Sequence, residues 1–220
     1  RIYTDFGIIT ADNQITADVN TIFMEITGLG KPGRLNKLYQ SPFTLHQMVI
    51  ERISRETEHA KAGKPARIIA KMNSLIEPSV IEALYQASAA GVQIDLIVRG
   101  MCTLRPGVKG LSDNIRVRSI IGRQLEHSRV YCFHNNGADD TFISSADWMG
   151  RNFFRRIEVA TPIETQALKE RVISEGLDMA LQDNTHAWLM QPDGTYERCG
   201  PSENEKPVGL QDGLWKMYGR

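Results

Sequence analysis

The run Arg67-Ile68-Ile69-Ala70-Lys71-Met72, followed by Pro78-Ser79-Val80-Ile81-Glu82-Ala83-Leu84 and then Gln93-Ile94-Asp95-Leu96-Ile97-Val98, decides the architecture. Two apolar runs of strand length enclose a segment in which Val80, Ile81 and Leu84 recur at helical spacing. Pro78 suits a first helical turn, where its missing N–H costs nothing, and Gly91 suits the left-handed residue that ends a helix. This is a βαβ unit, whose crossover helix lets two strands lie parallel. An α/β fold is expected. Arg99 follows the second strand directly, at the carboxyl edge where open α/β sheets bind ligands.

Working outward, Arg1 to Phe6 reads as a strand, and Ile15, Val19, Ile22, Phe23 and Ile26 mark a helix stopped by Gly28, Gly30 and Pro32. The glycine-rich stretch from Gly28 to Gly33 is the expected domain boundary, separating residues 1–30 from residues 31–220. Because Arg1 already stands inside a strand-like run, the chain is expected to be a fragment. Ser41 and Pro42 are expected to open a helix carrying Leu45, Met48, Val49 and Ile53 and closed by Gly63. Beyond the βαβ unit, strands are expected at Ile115 to Ile121, Arg129 to Phe133, Thr141 to Ser144 and Arg156 to Thr161. Asn135-Asn136-Gly137 supplies the hairpin turn between the second and third of these. A helix over Glu164 to Leu181 and two strands around Pro192-Asp193-Gly194 complete a mixed sheet flanked by helices.

The composition is that of a globular protein: 220 residues, 41% hydrophobic and 24% charged. With a formal net charge of +0, no global field draws the chain onto nucleic acid or an anionic membrane, so any anion site must be local. Cys102, Cys132 and Cys199 are odd in number and far apart, which suggests reduced thiols rather than a disulfide framework or a zinc knuckle. No apolar run reaches the roughly 20 residues that span a bilayer, and a soluble protein is expected.

Charge is nevertheless segregated. From Arg99 to Arg129 the chain carries Arg99, Arg105, Lys109, Arg116, Arg118, Arg123 and Arg129 against Asp113 and Glu126, and Arg151, Arg155 and Arg156 follow. Arginine's planar fork matches phosphate oxygens, although a solvated basic face accounts for such a run equally well. The glycines between Arg99 and Gly110 allow a phosphate loop there, while no Gly-Lys-Ser/Thr makes it a Walker loop.

Of five histidines, His46, His59, His134 and His186 suit surface or packing roles. His127 differs, because in Glu126-His127-Ser128-Arg129 strand alternation puts it on one face with Arg129. A phosphate-handling histidine needs a cation, hydrogen-bond donors and a carboxylate that orients its ring. Arg129 or Arg99, Ser144 and Ser145, and Glu158 are candidates for these roles, against a structural histidine paired with a glutamate.

Ile2-Tyr3-Thr4-Asp5, Arg99-Gly100, Leu104-Arg105-Pro106-Gly107, Leu125-Glu126-His127-Ser128-Arg129, Ser144-Ser145-Ala146-Asp147-Trp148-Met149 and Arg155-Arg156-Ile157-Glu158 together resemble the bacterial polyphosphate kinases. The resemblance covers nearly the whole chain. It implies a phospholipase-D-like α/β domain with a mixed, partly parallel sheet at residues 31–220, preceded by the C-terminal tail of a similar catalytic domain at residues 1–30. It further implies reversible transfer of the ATP γ-phosphate to inorganic polyphosphate through a phosphohistidine outside this chain, with Mg2+ held by ligands also outside it. By the family's pattern Tyr3, Arg99 and His127 contact nucleotide phosphates, with Arg156 adding a further contact; Asp5 orients the missing nucleophile, and Glu158 partners His127.

ATP or ADP, polyphosphate and the enzyme's remaining domains are the implied partners, in a cytoplasmic homo-oligomer that can sit peripherally on the inner membrane. Phospholipase D enzymes instead carry His-x-Lys followed by an aspartate; here His127-Ser128-Arg129 has arginine and His134 stands at the aspartate's place. That departure makes His127 a supporting group rather than a diesterase nucleophile. The alternatives are a phospholipase-D-like phosphodiesterase or nuclease, and a non-catalytic polyanion-binding module. RNA binding is disfavoured because the stretch from Arg99 to Arg129 has no aromatic residue on which a base could stack.

Overall fold

The computed structural model describes residues 2–31 and 33–219. The expected strand residue Arg1 and the helix stop at Pro32 lie outside the described residues. The described residues form eleven strands and seven α-helices. The βαβ unit is formed by β3 (Arg67–Met72), α3 (Pro78–Ala89) and β4 (Gln93–Val98), with Ile68 opposite Ile94 and Met72 opposite Val98 in parallel register. Pro78 opens α3 as expected, and the Glu77 carboxylate caps it by accepting from Val80 N at 2.8 Å. Gly91, at φ +104°, makes the turn into β4.

Strand β5 (Ile115–Ile120) extends the parallel set, and β10 (Ala187–Met190) and β11 (Tyr196–Arg198) add antiparallel strands outside it. On the other side β7 (Arg129–Phe133) runs antiparallel to β3, followed by β8 (Asp140–Ser144), β9 (Val159–Pro162) and β2 (Tyr39–Gln40). The nine-stranded sheet therefore has the order β11-β10-β5-β4-β3-β7-β8-β9-β2, mixed and partly parallel. A separate parallel pair joins β1 (Tyr3–Thr4) to β6 (Leu125–Glu126).

Alternation along the strands supplies two cores. Ile68, Ala70, Met72, Ile94, Leu96 and Val98 pack beneath α2 (Leu45–Lys61) and α3, whereas Ile69, Ile97, Val130 and Cys132 pack with Leu177, Ala180 and Leu210 on the opposite face. Burying aliphatic side chains on both faces is the usual fate of parallel strands and explains why β3 and β4 read as nearly continuous apolar runs.

Several expectations are corrected. Helix α2 begins at Leu45 after Thr44, not at Ser41-Pro42, and buried Ser41 Oγ makes no hydrogen bond with the described residues. The strand expected from Arg156 begins only at Val159, because Arg156 and Glu158 lie in the connection from α4 (Gly150–Phe154). The helix expected over Glu164 to Leu181 is α5 (Gln166–Ile173), a π-helical turn over Ser174–Asp178, and α6 (Met179–Gln182). At that wide turn Gly176 faces the Phe6 ring, where a Cβ would sit 3.0 Å from the ring edge. Sequence reading missed α7 (Leu210–Tyr218) altogether.

Helix α1 (Asn13–Ile26), capped by Asp12, is tied to the sheet domain through buried Asp18. The Asp18 carboxylate accepts from Asn36 N at 2.8 Å, Lys37 N at 2.7 Å and Leu38 N at 2.9 Å. Burial alone would raise the Asp18 pKa; these amide bonds outweigh it and hold the carboxyl below the ordinary aspartate value.

Candidate active site

A cleft of about 670 Å³ opens at the ends of the central strands. Asn73 and Arg99 reach it from the carboxyl ends of β3 and β4, Arg129 from the start of antiparallel β7, and Ser144 and Ser145 from the end of β8. Tyr3 and Asp5 arrive from β1 and the residues after it, and Arg151, Asn152, Arg156 and Glu158 from α4 and the connection behind it. Tyr3, Asp5, Arg99, His127, Arg156 and Glu158, all picked out from sequence, line this one cleft.

The β1–β6 pair explains how Asp5 meets His127. His127 N donates to Thr4 O at 3.1 Å, which sets the two segments in register and leaves Asp5 Oδ2 2.7 Å from His127 Nδ1. Arg129 Nη1 lies 2.9 Å from His127 Nε2 and also donates to His127 O at 2.7 Å. A guanidinium N–H only donates, so Nε2 is the acceptor and Nδ1 carries the proton toward Asp5. The Tyr3 ring meets the imidazole edge-on, with centroids 5.1 Å apart.

The Arg129 fork is itself held. Nε donates to Asp147 Oδ1 at 3.1 Å and Nη2 to Oδ2 at 3.3 Å, while Asn73 N donates to the same Oδ1 at 2.7 Å. Asp147 is 98% buried at 2% exposure, in a loop laced to its neighbour by Trp148 N→Ser74 O at 3.1 Å and Ile76 N→Trp148 O at 3.0 Å. This bidentate pair fixes the arginine plane and, through it, the imidazole. Asp147 and Asn73 were not assigned roles from sequence; the available sign was Asp147 just past a strand at the same sheet edge as Arg99.

Glu158 does not hold His127. Its oxygens accept from Ser145 Oγ at 2.5 Å and from Asn152 Nδ2 at 2.6 Å, so it shapes the other wall of the cleft. The reason is its place: Glu158 lies in a connection beside the Ser145 turn rather than on a strand facing the imidazole. The carboxylate on the ring is Asp5, 122 residues from His127.

Two further expectations give way. The glycine loop from Arg99 to Gly110 does not present free amides as a phosphate cradle would: Gly100 N donates to Asn73 O at 2.7 Å, Thr103 N to Leu75 O at 3.1 Å and Gly107 N to Ser112 O at 2.9 Å. Val108 N donates to Ser112 Oγ at 2.9 Å and Gly110 N to Asp113 Oδ2 at 2.6 Å. Nor does the basic stretch form one surface. Arg116 pairs with Asp95 at 2.8 Å, and Arg118 donates to the carbonyls of Ala180 and Leu181. Of that stretch only Arg99 and Arg129 face the cleft, and Arg99 Nε is buried without a hydrogen-bond partner among the described residues. His134 sits beyond the opposite end of β7, 3.1 Å from Asp139, and does not line the cleft.

Among the described residues no group of three or more His, Cys, Asp or Glu side chains is arranged to hold a metal ion. The cleft's carboxylates are already engaged, Asp5 by His127, Asp147 by Arg129 and Glu158 by Ser145 and Asn152. These residues do not make a magnesium site by themselves. No described helix is long and apolar enough to cross a membrane. The cysteines are free, and burial pushes the Cys102 and Cys132 thiols up to about 11, which leaves them poor nucleophiles.

Fold and cleft define an α/β protein with a mixed sheet whose strand ends converge on a histidine, a set of arginines and their carboxylates. Residues 38–211 match the family model described as polyphosphate kinase C-terminal domain 2. The chain belongs to the polyphosphate kinase family. It is 84% identical over 219 residues to a polyphosphate kinase of Neisseria meningitidis serogroup A, covering all of this chain and 32% of that protein. With the polyphosphate kinase of Burkholderia vietnamiensis the identity is 61%, over 96% of this chain and 31% of the relative. The crystal structure of polyphosphate kinase from Porphyromonas gingivalis superposes with a TM-score of 0.90 at 39% identity, covering 94% of this chain and 32% of that one.

Proposed function

We propose that this chain is the phosphate-binding part of an ATP:polyphosphate phosphotransferase that moves the γ-phosphate of ATP reversibly to inorganic polyphosphate. The observation that carries the proposal is the Asp5–His127–Arg129–Asp147 chain set in a cleft with Arg99, Arg151 and Arg156. Phosphoryl transfer asks a protein mainly to position groups and neutralise oxygens, and arginines about a fixed imidazole suit that task. In this reading Tyr3, Arg99, His127 and Arg156 contact phosphates, Asp5 orients the imidazole, and Glu158 holds Ser145 and Asn152 at the wall. Arg99, with its desolvated and unpartnered Nε, gains most from an arriving oxygen.

His127 acts as a supporting group. With Nδ1–H held on Asp5, the ring can meet a phosphate only through Nε2, which must exchange its Arg129 contact to do so, and the covalent phosphohistidine is assigned elsewhere in the longer enzyme. Magnesium accompanies the nucleotide on ligands outside this chain and supplies further charge neutralisation at the phosphates. Residues 1–30 are read as the tail of the preceding catalytic domain. Supporting this, α1 leaves Val19, Phe23, Met24 and Ile26 exposed, an apolar face suited to burial against more of the same protein. The reading places the enzyme in the cytoplasm.

The test is His127→Ala in the full-length enzyme. ATP-dependent polyphosphate synthesis is expected to fall by about 10²-fold or more, the usual scale for a general acid or base, with the thermal midpoint unchanged. Wild-type turnover, or a parallel loss of activity and stability, would return His127 to a packing role.

A further inference from the structure

Helix α7, which the reading above does not use, reaches toward the site through one side chain. Gln211 Oε1 accepts from Gln124 N at 2.9 Å, while Gln211 Nε2 donates to Gln124 O at 3.0 Å and to Glu126 Oε1 at 2.6 Å. The carboxamide thus reads both backbone groups of Gln124, as a neighbouring strand would, and then holds the residue immediately before His127. Glu126 gives its other oxygen to Lys71 Nζ at 2.6 Å, and both side chains of that pair are at least 95% buried, at 5% and 3% exposure. Leu210, fully buried beside Gln211, anchors the helix, and Asp183 Oδ2 accepts from its N at 2.8 Å.

A second observation points the same way. Gly122 lies against the Gln211 carboxamide, and a Cβ there would collide with it. Gly122 has no positive φ to explain it, so the space left for Gln211 accounts for the glycine.

We propose that Gln211 is a positioning residue for His127. It clamps β6, which leads directly into His127 and, through its pairing with β1, sets Tyr3 and the backbone just before Asp5. Gln211 does not line the cleft, so it touches neither substrate nor the reacting groups and acts only through Glu126 and the backbone of Gln124. The buried Lys71–Glu126 pair is the fixed post against which the clamp closes. A carboxylate held by a lysine on one oxygen and an amide donor on the other has one orientation, and the backbone bearing it is fixed with it. The proposal rests on the reading that His127 serves phosphoryl transfer.

The experiment uses full-length enzyme with ATP and polyphosphate, comparing Gln211→Met, Gln211→Glu and His127→Ala. Gln211→Met keeps the bulk and removes the hydrogen bonds; kcat is expected to fall about tenfold or more, on the scale of a misplaced catalytic group, with KM for ATP and thermal midpoint near wild type. In Gln211→Glu a carboxylate faces Glu126, and the pair cannot both be charged. Once one of them takes up a proton, an O–H···O bond takes the clamp's place. The ratio of Gln211→Glu to wild-type kcat should therefore rise as pH falls from about 8 to about 6, whereas the Gln211→Met ratio stays flat.

If Gln211→Met does not fold, Gly122→Ala displaces the same carboxamide without removing it and must show the same fall in kcat. Wild-type kcat in Gln211→Met or, where that variant does not fold, in Gly122→Ala overturns the proposal, as does a Gln211→Glu ratio that does not change with pH. Wild-type turnover in His127→Ala overturns the underlying reading instead.

Discussion

Replacing Arg129 by lysine separates the geometry of this site from its charge. Arg129 makes four hydrogen bonds from three nitrogens: two to Asp147 at 3.1 and 3.3 Å, one to His127 Nε2 at 2.9 Å and one to His127 O at 2.7 Å. A lysine ammonium presents its donors from one point and cannot span Asp147 and the imidazole together. It will stay with buried Asp147, since leaving that carboxylate unpaired is the costlier outcome. The imidazole then keeps only Asp5 and turns about that bond. Displacing a catalytic group by about 1 Å costs on the order of 10²-fold, or about 2.7 kcal/mol in the transition state at about 1.36 kcal/mol per tenfold. Loss of one charge-assisted bond to Asp147 lowers stability by about 1.5–3 kcal/mol. The assay is the initial rate of polyphosphate formation by the full-length enzyme, with a thermal melt on the same preparation. Polyphosphate synthesis within twofold of wild type would refute the argument.

Two predictions concern the frame. Lys71→Met should cost about 3–5 kcal/mol, because it strands the Glu126 carboxylate, and Lys71→Met/Glu126→Leu should recover most of that; chemical denaturation of the single and double variants checks it. Asp18 titrates below the ordinary aspartate value of 3.8 when folded, so its contribution to stability is fully present above that pH and is lost as pH falls through the lower folded value. Asp18→Asn should therefore flatten the acid limb of a stability-against-pH curve, and an unchanged limb would assign acid sensitivity to other groups.

How far the sequence was legible follows from what each element is made of. The βαβ unit from Arg67 to Val98 could be read because its strands are apolar on both faces and Pro78 and Gly91 punctuate it. Helix α7 could not, since Gly213 interrupts it and Trp215, Met217 and Tyr218 lie exposed, leaving only Leu210 and Leu214 to pack. In the site, His127 and Arg129 are neighbours in sequence and were readable together. The contact of Asp5 with His127 is not readable from sequence, because strands of two residues carry no periodicity to show that β1 pairs with β6. Glu158 was placed on a strand by alternation, and a strand that starts three residues late moves every such side chain. The glycine loop looked open because sequence does not reveal that Ser112 and Asp113 fold back onto its amides.

If the cleft takes a polyanion, as proposed, a chain with no net charge can serve it because the arginines around the cleft are divided between two tasks. Arg116, Arg67 and Arg118 are committed to Asp95 or to carbonyl oxygens and add little field at the cleft. Arg129 faces the cleft but is neutralised by Asp147, so its contribution is geometry. Arg99, Arg151 and Arg156 line the cleft without a salt bridge to any described carboxylate, and theirs is the charge left free at the cleft. The paired arginine must be buried and rigid to hold an imidazole. Of the unpaired ones, Arg151 and Arg156 gain from exposure, since an oxygen chain of variable length can be met by side chains free to follow it. A large net positive charge would attract polyanions over the whole surface and compete with the cleft. With Arg99, Arg151 and Arg156 gathered at one sheet edge, the attraction there is local although the chain as a whole carries no net charge.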